Sequence, residues 1–180
     1  MFIKNSLSSN LKSKIHKAVS IALISAGFIP ASHAASVTNL NVNNPTGATI
    51  DGTIAVTLDN GQSFTVDNDG TIAGSDTNGG RGINTINAST TITNLTNTGT
   101  ISGTATVDDG RGILLQTNST ITNLTNSGTI SGEAGDDIGD GILLLTSTIT
   151  NLTNDGTISG EAGDTSSSGI DLSNSTLTTL

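Results

Sequence analysis

The apolar residues of this chain recur at long, fixed intervals instead of forming a helical stripe. Ile92, Ile121, Ile149 and Leu177 follow one another at steps of 29, 28 and 28 residues. Leu95, Leu124 and Leu152 keep the same steps, and Ile72, Ile101, Ile130 and Ile158 nearly so, as do Ile83, Ile113, Ile142 and Ile170. The residues between them are mostly Thr, Ser, Asn, Asp and Gly, with almost no Lys, Glu or Arg, a composition that disfavours helix. Short β-branched runs such as Thr148-Ile149-Thr150 and Gly156-Thr157-Ile158-Ser159, parted by Asn, Asp and Gly, predict brief strands broken by turns. In Gly112-Ile113-Leu114-Leu115 the period of two puts Ile113 and Leu115 on one face; Ile142 with Leu144 and Ile170 with Leu172 follow the same rule. Ile92 and Leu95 are three apart, so a strand that buries both must bend or bulge near Asn94.

The apolar rows belong to a true internal repeat. Thr-Ile-Thr-Asn-Leu-Thr-Asn-x-Gly-Thr-Ile-Ser-Gly begins at Thr91, Thr120 and Thr148, and Gly112-Ile113, Gly141-Ile142 and Gly169-Ile170 follow in step. A degenerate copy precedes it in Asp69-Gly70-Thr71-Ile72 and Gly82-Ile83, Asp51-Gly52-Thr53-Ile54 reads as an earlier one, and Ser175-Thr176-Leu177-Thr178 restarts the unit. A unit that cannot bury its apolar side alone must stack on its neighbours. Three strands in about 28 residues make one turn of a parallel β-helix, whereas a propeller blade needs about 40. The expected fold is therefore an all-β solenoid with coils near 63–91, 92–120, 121–148 and 149–176, and with 35–62 as a lead-in carrying cap strands. Asn97, Asn126 and Asn154 recur in register, which predicts a ladder of stacked amides at a turn.

The N-terminus is of another kind. Lys4, Lys12, Lys14 and Lys17 lead into an apolar run from Ala18 to Ile29, then Pro30 and Ala31-Ser32-His33-Ala34-Ala35. This is the pattern of a secretory signal peptide over 1–34, with cleavage expected after Ala34, or after Ala35 as the alternative, and its apolar run is shorter than the roughly 20 residues that span a bilayer. Its removal takes every lysine, both histidines and two of the three phenylalanines. What remains sets Arg81 and Arg111 against all 15 acidic residues, a formal balance of −13. Such a surface excludes attraction to nucleic acid or anionic lipid as a driving force. The chain has no cysteine, so an exported fold must be held by stacking and hydrogen bonding without disulfides.

The stretches Asn94-Leu95-Thr96-Asn97-Thr98-Gly99-Thr100-Ile101, Asn123 to Ile130 and Asn151 to Ile158 resemble the passenger region of bacterial autotransporters, the type V secreted proteins. The long basic leader and the absence of cysteine are similar to that family as well. The resemblance covers residues 40 to 180 and implies a right-handed parallel β-helix, export to the cell surface or outer membrane, and a role in display or adhesion toward host or cell-surface ligands. The family's C-terminal translocator barrel does not follow the repeats within these 180 residues, so self-translocation is not expected of this chain.

Candidate chemistry is sparse. The mature sequence has no His, Cys, Lys, Tyr or Trp, which removes the usual general bases, activated nucleophiles and soft metal ligands. The chain is expected not to be an enzyme; a carboxylate pair acting on polysaccharide is the enzymatic alternative, but Phe64 alone remains for sugar stacking. Asp108, Asp109, Asp136, Asp137, Asp140 and Asp164 occupy equivalent Gly-rich connections and are the candidate Ca²⁺ ligands, set against a plain solvated acidic rim. The pairs Thr91/Thr93, Thr120/Thr122, Thr148/Thr150 and Thr176/Thr178 would form an outward double row similar to the ice-binding faces of some solenoids. An open coil at the end of the repeats would expose strand edges and favour end-to-end self-association.

Overall fold

The computed structural model describes residues 33–59, 61–86, 89–163 and 165–180. Residues 1–32, most of the expected leader, lie outside the described residues, while His33 and Ala34 open the first strand. The described residues form sixteen strands and no helix: β1 (His33–Thr38), β2 (Val42–Asn44), β3 (Thr49–Leu58), β4 (Ser63–Asn68), β5 (Thr71–Asp76), β6 (Arg81–Thr85), β7 (Thr91–Asn97) and β8 (Thr100–Ala105), then β9 (Gly110–Leu115), β10 (Thr120–Asn126), β11 (Thr129–Ala134), β12 (Gly139–Leu145), β13 (Thr148–Asn154), β14 (Thr157–Ala162), β15 (Ile170–Ser173) and β16 (Thr176–Thr179).

The strands pair in parallel with their equivalents in adjacent coils, giving a β-solenoid of about five turns. One column runs β2-β4-β7-β10-β13-β16. The other two run β5-β8-β11-β14 and β6-β9-β12-β15, and both begin on β3, which is long enough to serve each. Thr49 to Gly52 of β3 pair with Thr71 to Gly74 of β5, and Ile54 to Leu58 pair with β6. In later coils a loop separates these two strands: 77–80, 106–109, 135–138 and 163–169. The β3 coil has no such loop, and its ladder asparagine Asn44 is 24 residues from the next, against 29 for Asn68 and Asn97.

That omission shifts the earliest repeat. Asp51-Gly52-Thr53-Ile54 is not the counterpart of Asp69-Gly70-Thr71-Ile72; Thr49 and Ile50 pair with Thr71 and Ile72, and Ile54 pairs with Arg81. The structure also makes β1 to β3 members of the solenoid columns.

The apolar rows stack as the spacing predicts. Ile92, Ile121, Ile149 and Leu177 pair in series, as do Leu95, Leu124 and Leu152. Ile72, Ile101, Ile130 and Ile158 form the third row, and Ile83, Ile113, Ile142 and Ile170 the fourth. They make one continuous core, with Ile158, Ile170 and Leu177 only partly buried against it. Full burial of one such side chain is worth about 1.5–3 kcal/mol, so each coil adds an interface of several such terms. Leu172 departs from the pattern: it pairs with buried Leu144 yet is 44% exposed, in the outermost strand of its column.

The bend near Asn94 is a bulge. In β4, Phe64, Val66 and Asn68 alternate strictly, whereas β7 buries Ile92, Leu95 and Asn97. Phe64 pairs with Ile92 and Thr65 with Asn94, so Thr93 is the extra residue. Two residues on one strand thus oppose one on the other, which lets Asn97 turn inward. There Asn44, Asn68, Asn97 and Asn126 each donate from Nδ2 to the Oδ1 of the next asparagine, ending at Asn154, all at 2.7 Å. The same Nδ2 groups reach the carbonyls of Thr71, Thr100, Thr129 and Thr157 at 3.0 to 3.1 Å. The donors of these buried amides are therefore matched, and burial costs them little.

Candidate functional site at the acidic corner

The loops between the β5-β8-β11-β14 and β6-β9-β12-β15 columns stack over one another, and they hold the acidic residues. Val107 N donates to Thr77 O at 3.0 Å, and Gly135 N to Ala105 O at 3.0 Å, so each of these loops hangs on the coil before it. Close approach of these two columns sets where the side chains emerge. A Cβ on Gly74, Gly103 or Gly132 would collide with the carbonyls of Arg81, Arg111 or Asp140 respectively. Backbone therefore packs on backbone here, and Arg81, Arg111 and Asp140, which pair in register, are delivered to the corner.

Carboxylate oxygens of Asp108, Asp109 and Asp137 lie within 4.8 Å of one another. These three of the six candidate ligands are brought together. Asp136 is exposed and outside the group, Asp164 lies outside the described residues, and Asp140 faces Arg111 instead. Arg111 Nη2 holds Asp109 Oδ2 at 2.6 Å, and its Nε lies 4.0 Å from Asp140 Oδ2. Asp140 is almost wholly buried; one oxygen accepts from Ser168 N at 3.0 Å, while Oδ2 and Arg111 Nε have no hydrogen-bond partner. Burial raises the Asp140 pKa above the usual carboxylate value, and Asp171 and Asp109 add to it, against the Ser168 N–H and Arg111. Burial, with repulsion from Arg111, holds the Arg81 guanidinium below its usual value.

Asp76, the last residue of β5 and in register with Ala105, behaves in the opposite sense. The Asn78 N–H, the Thr53 side chain and the Thr77 N–H bind its carboxylate and lower its pKa. Its Oδ1 accepts from Thr77 N at 2.5 Å and Asn78 N at 3.3 Å, closing the loop on itself.

Chemically, the trio supplies hard oxygen ligands of the sort Ca²⁺ takes, but a cation there would share Asp109 with Arg111. The sequence places the acidic residues on one edge without revealing Arg111 as their counter-ion, although Arg81 and Arg111 recur in register between glycines, in Gly80-Arg81-Gly82 and Gly110-Arg111-Gly112, which was a usable signal. Among the described residues no helix is long and apolar enough to cross a membrane. Comparison with protein-family profiles, curated proteins and solved structures finds no match to the chain.

Proposed function

We propose that the chain is a non-enzymatic exported solenoid, similar to an autotransporter passenger, that projects a repeated polar surface from a bacterial cell for display or adhesion. The observation that supports this most directly is the outer side of the β4-β7-β10-β13-β16 column. Thr91, Asn94 and Thr96 pair in register with Thr120, Asn123 and Thr125, and these with Thr148, Asn151 and Thr153. No charge falls in β7, β10 or β13, in a chain whose acidity is heavy elsewhere; Asp67 of β4, exposed and in register with Thr96, borders the array. With about 4.8 Å between strands and about 3.3 Å per residue, these groups form a regular lattice of hydroxyls and amides. Asn123 Nδ2 donates to Asn94 Oδ1, and Asn151 Nδ2 to Asn123 Oδ1, each at 2.9 Å, which holds the outer amides in place. A rigid, repeated face of this kind suits multivalent weak contact, where many small terms add.

The test is to express the full chain with a C-terminal tag in a bacterial host, then read its N-terminus, its cell fraction and its access to external protease. Export with cleavage near Ala34 and binding of the exported protein to immobilised host cells is the expected result. An intact leader in the cytoplasm sinks export, and an exported chain that binds no more than an Asn94/Asn123/Asn151→Asp variant sinks adhesion through this face.

A Ca²⁺-stabilised binding solenoid is the second reading, favoured by the grouping of Asp108, Asp109 and Asp137. The Arg111 guanidinium on Asp109 weighs against it, because it already supplies the positive charge.

A further inference from the structure

Asn78 and Gly79 lie in the first corner loop, beneath the acidic one. Asn78 is exposed, and Gly79 is buried with φ at +142°. Among the described residues this is the only Asn-Gly step. Glycine matters chemically as well as sterically, since without a Cβ nothing shields its backbone nitrogen from the preceding side chain. The Gly79 N–H makes no hydrogen bond among the described residues, while its neighbours are engaged: Asn78 N with Asp76 Oδ1, Thr77 O with Val107 N, Gly80 O with Arg111 N.

The Arg81 guanidinium lies over Gly79. A Cβ built there would stand 3.4 Å from Nη2, 3.5 Å from Nη1 and 3.6 Å from Cζ. Arg81 has no carboxylate at ion-pair distance among the described residues, and its Nε has no hydrogen-bond partner. A fixed cation beside an amide nitrogen stabilises the anion formed when that nitrogen loses its proton, and also the oxyanion formed when it attacks a carbonyl.

We propose that Asn78–Gly79 is a self-modification site, at which Asn78 deamidates with assistance from the Arg81 guanidinium. Solvent hydroxide removes the Gly79 amide proton, and the nitrogen attacks Asn78 Cγ to form a five-membered imide. The Cγ–N bond of the side-chain amide breaks and ammonia leaves. Water then opens the imide at either carbonyl, giving aspartate or isoaspartate at residue 78. The balance is one water consumed and one ammonia released, with no oxidant or reductant. The product carboxylate is borne on the residue next to Gly79, over which lies a guanidinium with no carboxylate at ion-pair distance among the described residues. The isoaspartyl form adds a backbone atom to a loop on whose Thr77 carbonyl the Val107–Asp109 loop hangs.

The experiment incubates the full chain at neutral to mildly alkaline pH and follows peptides by mass and by enzymatic methylation of isoaspartate. The expected result is conversion at Asn78 ahead of Asn94, Asn123 and Asn151, whose amides are tied in a ladder. Mapping separates this site from the Asn60–Gly61 step elsewhere in the sequence. Arg81→Gln should slow conversion severalfold and Arg81→Lys should restore part of the rate, with circular dichroism checking that each variant is folded. If Arg81→Gln does not fold, the same ratio is read on the wild type as the salt dependence of the folded-state rate against that of the chain in urea. An intact Asn78 after the urea-unfolded chain has converted overturns the site. A folded-state rate indifferent to residue 81, or to salt relative to the unfolded chain, overturns the assistance.

Discussion

Asn97 Nδ2 lies 2.7 Å from Asn126 Oδ1, and Asn126 passes the same bond to Asn154, so each interior amide is acceptor to one coil and donor to the next. On the outside of the same strands the direction is reversed, with Asn123 donating back to Asn94. The two ladders share geometry and differ in access to water.

That difference predicts very different costs for one chemical change. Asn126→Ala, at a residue only 1% exposed, removes the acceptor for the fully buried amide of Asn97 and the donor to the carbonyl of Thr157. A cost of about 3 kcal/mol is expected, against less than about 1 kcal/mol for Asn123→Ala, where solvent replaces the lost bonds. Urea midpoints of the two variants measure this. Equal midpoints would show that the interior ladder is no more than a by-product of stacking.

Glycines at the acidic corner give a second contrast. An added Cβ on Gly132 would collide with the Asp140 carbonyl, and neither backbone can retreat without breaking its strand pairing. Gly132→Ala should therefore abolish folding or cost more than about 3 kcal/mol, as overpacking against backbone does at its upper range. Gly47→Ala, at φ +80° with nothing within 4 Å of the new Cβ, should cost only about 1 kcal/mol of left-handed strain. Thermal melts of the pair decide the matter, and a Gly132→Ala protein that melts with Gly47→Ala would refute the close packing.

The rows of Ile and Leu were legible in the sequence because a parallel solenoid repeats its register in its spacing: Ile92, Ile121 and Ile149 stack because nothing else lets each unit cover the next. The bulge at Thr93 was legible for the same reason, since Ile92 and Leu95 cannot share a face without it. The lead-in was not, because β3 omits the corner loop and so breaks the period that made the later coils readable. Nor were Leu114 and Leu143, which are buried outside the main apolar cluster, a fact that alternation along one strand does not reveal. At the corner, sequence placed Asp108, Asp109 and Asp137 on one edge, but the pairing of Arg111 with Asp109 depends on how closely two columns of strands approach.

Charge compensation by Arg111 makes a prediction about Ca²⁺. Three carboxylates fall short of the six to eight oxygens the ion takes, and one of them is already engaged. The wild-type melting temperature should rise little with millimolar CaCl₂ beyond an ionic-strength-matched NaCl control. Arg111→Gln should respond more, because Asp109 is released, and the added Asp137→Asn change should abolish that gain. A large wild-type response, or one unaffected by Arg111→Gln, would mean that the guanidinium does not compete for this site.

The last prediction concerns pH and rests on Asp140. Its folded pKa is raised above 3.8, chiefly by burial, so the folded protein favours the protonated form and the ionised form is a liability at neutral pH. Stability from this group is therefore gained as pH falls through the folded pKa, and the gain is complete near the unfolded value of 3.8. Asp76 acts in the other direction: its pKa is lowered, so its contribution is present above 3.8 and is lost as pH falls through its folded value. Asp140→Asn keeps an acceptor for Ser168 N and removes the charge, isolating the first effect from the titration of the remaining acids. The variant should melt above the wild type at pH 7, with the gap closing as pH falls toward 4. A gap constant across that range would mean that Asp140 stays ionised in the fold, with Arg111 at 4.0 Å sufficient to offset its burial.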